Sequence, residues 1–76
     1  MDRAEFLEEL TELLEVEEAV TVDTSFDGME EYDSLAVMSL IVFIDENFDK
    51  TISGEELSNV KGVKELITLI GEDNIG

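Results

Sequence analysis

The chain lacks cysteine, histidine and proline, and holds only four basic residues in 76. Each absence closes a class of function. Without Cys there is no disulfide, no thiolate metal site and no Cys nucleophile. Without His, the usual general base and the commonest nitrogen metal ligand are missing. The longest uncharged run, Ser34 to Ile44, is far too short to span a bilayer. No repeat and no linker-like stretch interrupts the pattern, and 76 residues suit one domain. The N-terminal Met1-Asp2-Arg3 leads into an acidic helix pattern rather than a signal peptide, so a cytoplasmic location is expected.

Against the four bases stand 21 acids, a net charge of −17. Such a surface is repelled by nucleic acid and by anionic membranes, and attracts basic protein patches in fast, reversible encounters. The 43% hydrophobic content, set in regular blocks, argues against an acidic disordered chain. With no staple available, the fold must rest on a compact apolar core, which helices close most economically at this size.

Residues 2 to 15 carry Phe6, Leu7, Leu10, Leu13 and Leu14 at helical spacing, with Asp2 and Glu5 placed as a cap. Residues 16 to 33 lose that period, and a loop of such length in a small domain hints at function. Asp33 then heads a run to Phe48 long enough for about four helical turns. Ser53 and Glu56 have capping-box spacing before Leu57 and Val60, which marks a short helix. Val63 to Ile70 forms the last, ended by Gly71. The pattern predicts an all-α fold: a small four-helix bundle with three longer helices, one short helix and a long loop between helices one and two.

On a helical wheel, the central helix has two apolar stripes. Val37, Leu40, Ile41, Ile44 and Phe48 form the natural core face. Leu35, Met38 and Val42 form a second, which begins beside Ser34. A bundle of this size cannot easily bury every side of one helix, so the second stripe is expected near the surface as a docking strip, unless the long loop covers it. Ser34 has no His to take its proton, and neither Lys50, Lys61 nor Lys64 stands in a recognisable catalytic arrangement, so no catalytic residue is assigned. A serine modified by another enzyme needs only exposure and a helix N-terminus that favours an attached phosphate.

Asp33-Ser34-Leu35, at the head of an uncharged amphipathic helix in an acidic chain, resembles the modification motif of acyl carrier proteins. The similarity runs over roughly residues 4 to 70 and takes in Glu46-Asn47-Phe48-Asp49, Ile52, Glu55-Glu56-Leu57 and Val63 to Ile70. The resemblance implies a monomeric carrier, not an enzyme. Ser34 would receive 4′-phosphopantetheine from coenzyme A through a separate phosphopantetheinyl transferase. The arm's thiol would hold an acyl or aminoacyl group as a thioester, supplied by a loading ligase and passed to transferases or synthases. Asp33, Leu35, Met38, Val42 and Glu46 would meet basic docking patches on those partners. By position, Ile41, Ile52, Leu57, Val60 and Leu66 would line a space for the acyl chain, though each is equally well explained as core.

Ala36 and Ser39 stand where carriers of fatty acid synthesis tend to keep acids, and Glu30-Glu31-Tyr32 where they usually have a Gly-containing lead-in. An aromatic residue before Asp-Ser-Leu is more similar to stand-alone carriers of specialised pathways, such as surface-polysaccharide or secondary-metabolite assembly. Two other classes compete. One is an acidic docking adaptor whose Ser34 is never modified. The other is a calcium loop over residues 45–56, with oxygen ligands at loop positions 1, 3, 5, 9 and 12 but Lys50 where Gly should allow the sharp turn. That mismatch leaves no metal site assigned.

Overall fold

Asp2 opens the first helix. In the computed structural model, which describes residues 1–75, its carboxylate accepts the Glu5 amide hydrogen at 2.8 Å, and α1 runs Arg3–Leu14. This bond occupies one of the amides that every helix start leaves without an intrahelical partner. Phe6, Leu10 and Leu14 recur every fourth residue and are buried, while Glu5, Glu8, Glu9 and Glu12 face solvent. The two outer residues of the expected 2–15 span are therefore caps. Asp2 closes one end, and Glu15 leaves the other in the left-handed region at φ 55°.

The long connection from Glu15 to Asp33 is held at both sides. Thr11 accepts the Val20 amide hydrogen at 2.9 Å while donating to the Leu7 carbonyl, which fixes the first part of the loop to α1. Val20 and Phe26 are buried. Farther along, Ser25 and Gly62 form a single antiparallel bridge. Phe26 N donates to the Lys61 carbonyl at 2.8 Å, and Val63 N donates to the Thr24 carbonyl at 3.1 Å. A side chain at Gly62 would crowd this clasp, because its Cβ would lie 3.0 Å from the Thr24 carbonyl oxygen. Lys64 and Asp23 add an ion pair at 3.2 Å, exposed on both sides and hence of small energetic weight.

The central helix, α2, spans Ser34–Phe48 and buries Ala36, Val37, Leu40 and Ile44. Two members of the expected core face, Ile41 and Phe48, are only half-buried. Ala36 lies inside instead. The packing explains this shift. The next helix lies over Val37 and Ile41 through Gly54, whose Cβ would be 3.7 Å from each of their terminal carbons. With no side chain at Gly54, the flank of Ile41 stays partly open. Phe48, at the last turn, packs edge-on against Phe6 and Phe43, with ring centroids 6.2 and 6.1 Å apart.

That next helix, α3, covers only Gly54–Ser58, and the Ser53 hydroxyl accepts the Glu56 amide hydrogen at 3.1 Å. Helix α4 runs Val63–Ile70, burying Val63, Leu66, Ile67 and Ile70, and ends at Gly71 with φ 111°. Beyond it, a 3₁₀ turn over Glu72–Asn74 brings Ile75 back into the core at 1% exposure, a feature without periodicity that the sequence pattern did not announce. Over residues 1–75 the architecture is the expected all-α bundle of four helices around one apolar core. Among the described residues, no helix is long and apolar enough to cross a membrane.

Two helix ends carry an unfavourable residue. Glu15 and Asp49 both cap α1 and α2 in the left-handed region, at φ 55° and 54°. Glycine adopts that conformation without steric cost, whereas a Cβ opposes it. A carboxylate there also sits at the negative end of the helix dipole.

Candidate functional site

Ser34 is the first residue of α2, and its position follows from the residues on either side. The Asp33 carboxylate accepts the Ala36 amide hydrogen at 3.0 Å, and its own carbonyl accepts that of Val37. Those two bonds start the helix at Ser34 and leave the amides of Ser34 and Leu35 at its open end. Ser34 is exposed. No acidic residue occupies the first turn of α2. A phosphate ester on this hydroxyl would therefore sit at the positive end of a helix of 15 residues, in open space.

The side chains following Ser34 form a solvent-facing strip. Leu35 is 73% exposed, Met38 62% and Val42 55%. Their spacing of three and four places them on one side of α2. The long loop does not cover them. Glu46, one turn farther, is exposed as well, as is Asp33 at the head of the strip. Beside Ser34, a shallow cleft of about 350 Å³ lies between Leu13 and Leu14 of α1 and Leu35 and Ser39 of α2, with Glu15 and Glu31 also on its wall.

The residues considered as an acyl-chain lining lie deeper. Leu57 and Leu66 are fully buried, Ile52 and Val60 nearly so, and Ile41 is half-buried on the α2 face beneath Gly54. All five belong to, or pack against, the one hydrophobic core. A broader surface groove, about 670 Å³, runs between α3 and α4. Of the five it touches only Val60, and its wall also includes Lys64 and Leu69.

One residue that the sequence marked only as the aromatic before Asp33-Ser34-Leu35 has a structural role here. Tyr32, two positions before Ser34, stacks its ring flat on Phe26, with centroids 4.4 Å apart and planes within 2° of parallel. Its hydroxyl donates to the Leu57 carbonyl on α3. Burial pushes its phenol above the ordinary 10.0. An aromatic residue at the end of a polar loop was the available signal, but its partners lie 6 and 25 residues away and are set by tertiary packing.

The calcium alternative does not survive the geometry. Asp45 to Phe48, the first four positions of the supposed loop, are the last turn of α2, where Asn47 Nδ2 donates back to the Phe43 carbonyl at 2.9 Å. A metal loop needs these oxygens to converge on one point, which a helical turn prevents. Among the described residues, no three acidic side chains come together in a way that would hold an ion.

Comparison with known proteins accords with this geometry. The family model described as the phosphopantetheine attachment site matches residues 4–70. The chain belongs to that family. It is 38% identical over 53 residues to an acyl carrier protein of Kocuria rhizophila, covering 70% of this chain and 65% of that protein. To an acyl carrier protein of Petrotoga mobilis it is 36% identical over 56 residues, covering 74% of this chain and 66% of the relative. The matched part thus spans just under two-thirds of these relatives' length. No solved structure matches the chain. The family is one of carriers rather than enzymes, and its prosthetic group is covalently attached 4′-phosphopantetheine. The residues present fit that group. An exposed hydroxyl stands at the first position of a helix N-terminus, with the Asp33 carboxylate spent on capping Ala36 N and no acid among the helical residues of the first turn.

Proposed function

We propose that the chain is a carrier whose Ser34 bears the 4′-phosphopantetheine arm, and that the arm's thiol holds acyl or aminoacyl intermediates as thioesters. The observation that carries this reading is the exposure of Ser34 at the head of α2, with Asp33 as its cap, inside the matched attachment region. The chain brings no histidine to the reaction, so the proton of the serine hydroxyl must be taken by the loading enzyme. In that step a bond forms between Ser34 Oγ and the pantetheine-bearing phosphorus of coenzyme A. The bond from that phosphorus to the adenosine side of the pyrophosphate breaks, and the nucleotide leaves.

The strip of Asp33, Leu35, Met38, Val42 and Glu46 is the docking face in this reading. Apolar side chains framed by carboxylates suit partners that offer an apolar groove rimmed by basic residues, such as phosphopantetheinyl transferases, loading ligases and downstream synthases. Ile41, Ile52, Leu57, Val60 and Leu66 are the side chains past which a sheltered acyl chain would run. Ala36 and Ser39, where carriers of fatty acid synthesis tend to keep acids, favour a dedicated biosynthetic pathway. The carrier is expected to act as a cytoplasmic monomer.

The test is direct. The purified chain is incubated with coenzyme A and a broad-specificity phosphopantetheinyl transferase, then weighed by mass spectrometry. One arm is expected on the native chain and none on Ser34→Ala. A folded native chain that refuses the arm from every transferase tried would leave the acidic adaptor as the better reading. Met38→Glu is expected to load more slowly through a higher KM, with the fold intact, because it puts a charge into the apolar strip.

A further inference from the structure

Tyr32 ends a segment built like a strut. Phe26 N is fixed to the Lys61 carbonyl at 2.8 Å, Met29 N bonds to the Phe26 carbonyl at 3.0 Å, and Tyr32 N bonds to the Met29 carbonyl at 3.2 Å. Two successive turns therefore lead from the α3–α4 junction to the residue before Asp33. The strut closes on itself through the flat stack of Tyr32 on Phe26. Its far end is tied to α3 by the Tyr32 hydroxyl on the Leu57 carbonyl, a bond across 25 residues of sequence. The Asp33 cap and Ser34 follow immediately, with no residue between to absorb a displacement.

We propose that Tyr32 is a positioning residue for Ser34: its hydroxyl bond to α3 holds the start of α2 in the pose that the loading enzyme requires. This rests on Ser34 being the attachment serine and adds a determinant of how fast the arm is accepted. Two features give the bond leverage. The hydroxyl's acceptor is a carbonyl of a helix only five residues long, and the ring is half-buried, so the bond is shielded from competing water. The Asp33 cap fixes only the helix side of Ser34. Without the tyrosine bond, the loop side is held only by the stack and the two turns. The serine then samples more orientations, and only some present its oxygen in line for attack. Losing that restraint lowers the fraction of productive encounters without removing any group that the partner touches, so the effect falls on kcat rather than KM.

The test uses Tyr32→Phe, which keeps the ring and its stack and deletes only the hydroxyl. Loading kinetics with coenzyme A and a transferase are followed by mass spectrometry, well below the melting temperature of both proteins. Amide hydrogen exchange at Tyr32, Ala36 and Val37, whose amides are bonded to Met29 and Asp33, is measured in parallel. The expected result is a fall in kcat of about fivefold, the size of one ordinary hydrogen bond, with KM for the carrier little changed and exchange at the three amides faster. A variant that melts earlier yet loads with native kcat would overturn the proposal, leaving Tyr32 a purely structural anchor. Refusal of the arm by the native chain itself is a separate result, which removes the attachment reading and this proposal together.

Discussion

Leu35 and Leu40 share a residue type and a helix, five positions apart, yet one is 73% exposed and the other 0%. Truncating each to alanine separates docking surface from core with matched chemistry. Leu40→Ala removes three buried carbons from the centre of the bundle and leaves a cavity, a change worth about 3 kcal/mol. Folding stability for a chain of this length is about 4–11 kcal/mol, so the loss is a large fraction of the total. At about 4–8 °C per kcal/mol, the melting temperature should fall by about 12–24 °C. Leu35→Ala removes atoms already in water and places a better helix former in α2, so its cost stays below about 0.5 kcal/mol and the melting temperature moves by less than about 4 °C. The order should reverse in the loading assay. Truncating a leucine buried by a partner costs about 1 kcal/mol, or about fivefold in KM for the transferase. The assays are circular dichroism melts and transferase kinetics on the three proteins, the kinetics run below the melting temperature of Leu40→Ala. Equal loss of melting temperature in both variants would mean that Leu35 packs inside. The exposed strip, and the docking reading built on it, would then fall.

Three other outcomes are expected. Asp33→Ala deletes the cap on Ala36 and should cost about 1 kcal/mol in a denaturant melt, whereas Asp33→Asn, which can still accept that bond, should recover most of it. Asp49→Gly should stabilise the protein by up to about 1 kcal/mol, because it removes both the left-handed strain and a carboxylate at the negative end of α2. The third concerns pH. The Tyr32 phenol is raised by burial, so in the folded chain it keeps its proton at pH values where the unfolded chain has lost it. That contribution to stability is complete below pH 10 and is lost as pH rises through the higher folded value. The melting temperature of the native chain should therefore decline more steeply above pH 10 than that of Tyr32→Phe, and parallel curves would contradict the assignment.

The helices were legible because each has a local signature. Asp2, Asp33 and Ser53 are short polar acceptors placed before apolar periodicity, and all three prove to be caps. Ser34–Phe48 and Val63–Ile70 carry their full spans in the pattern of apolar residues. The second stripe of α2 was readable too, since four helices cannot surround one of their own number. What was not legible depends on residues distant in sequence. The half-burial of Ile41 follows from a glycine on α3 lying over it, and the burial of Ile75 from a three-residue turn of polar residues. The clasp between Thr24, Ser25 and Gly62 has no motif, because it is held mainly by backbone-to-backbone bonds, with the Ser25 hydroxyl donating to the Lys61 carbonyl. Tyr32 belongs to the same group. Its aromatic character was visible beside Asp33, but the stack and the bond to α3 exist only once the loop has folded back.

Tyr32 is the sole tyrosine of a chain without tryptophan. Tyrosine emission therefore reports from a single place, two residues from Ser34. Emission from the folded chain comes from that single phenol, whose lifetime responds to whether its proton is shared with a carbonyl. Attachment of an arm, arrival of cargo or release to a partner could thus be watched in real time on unlabelled protein.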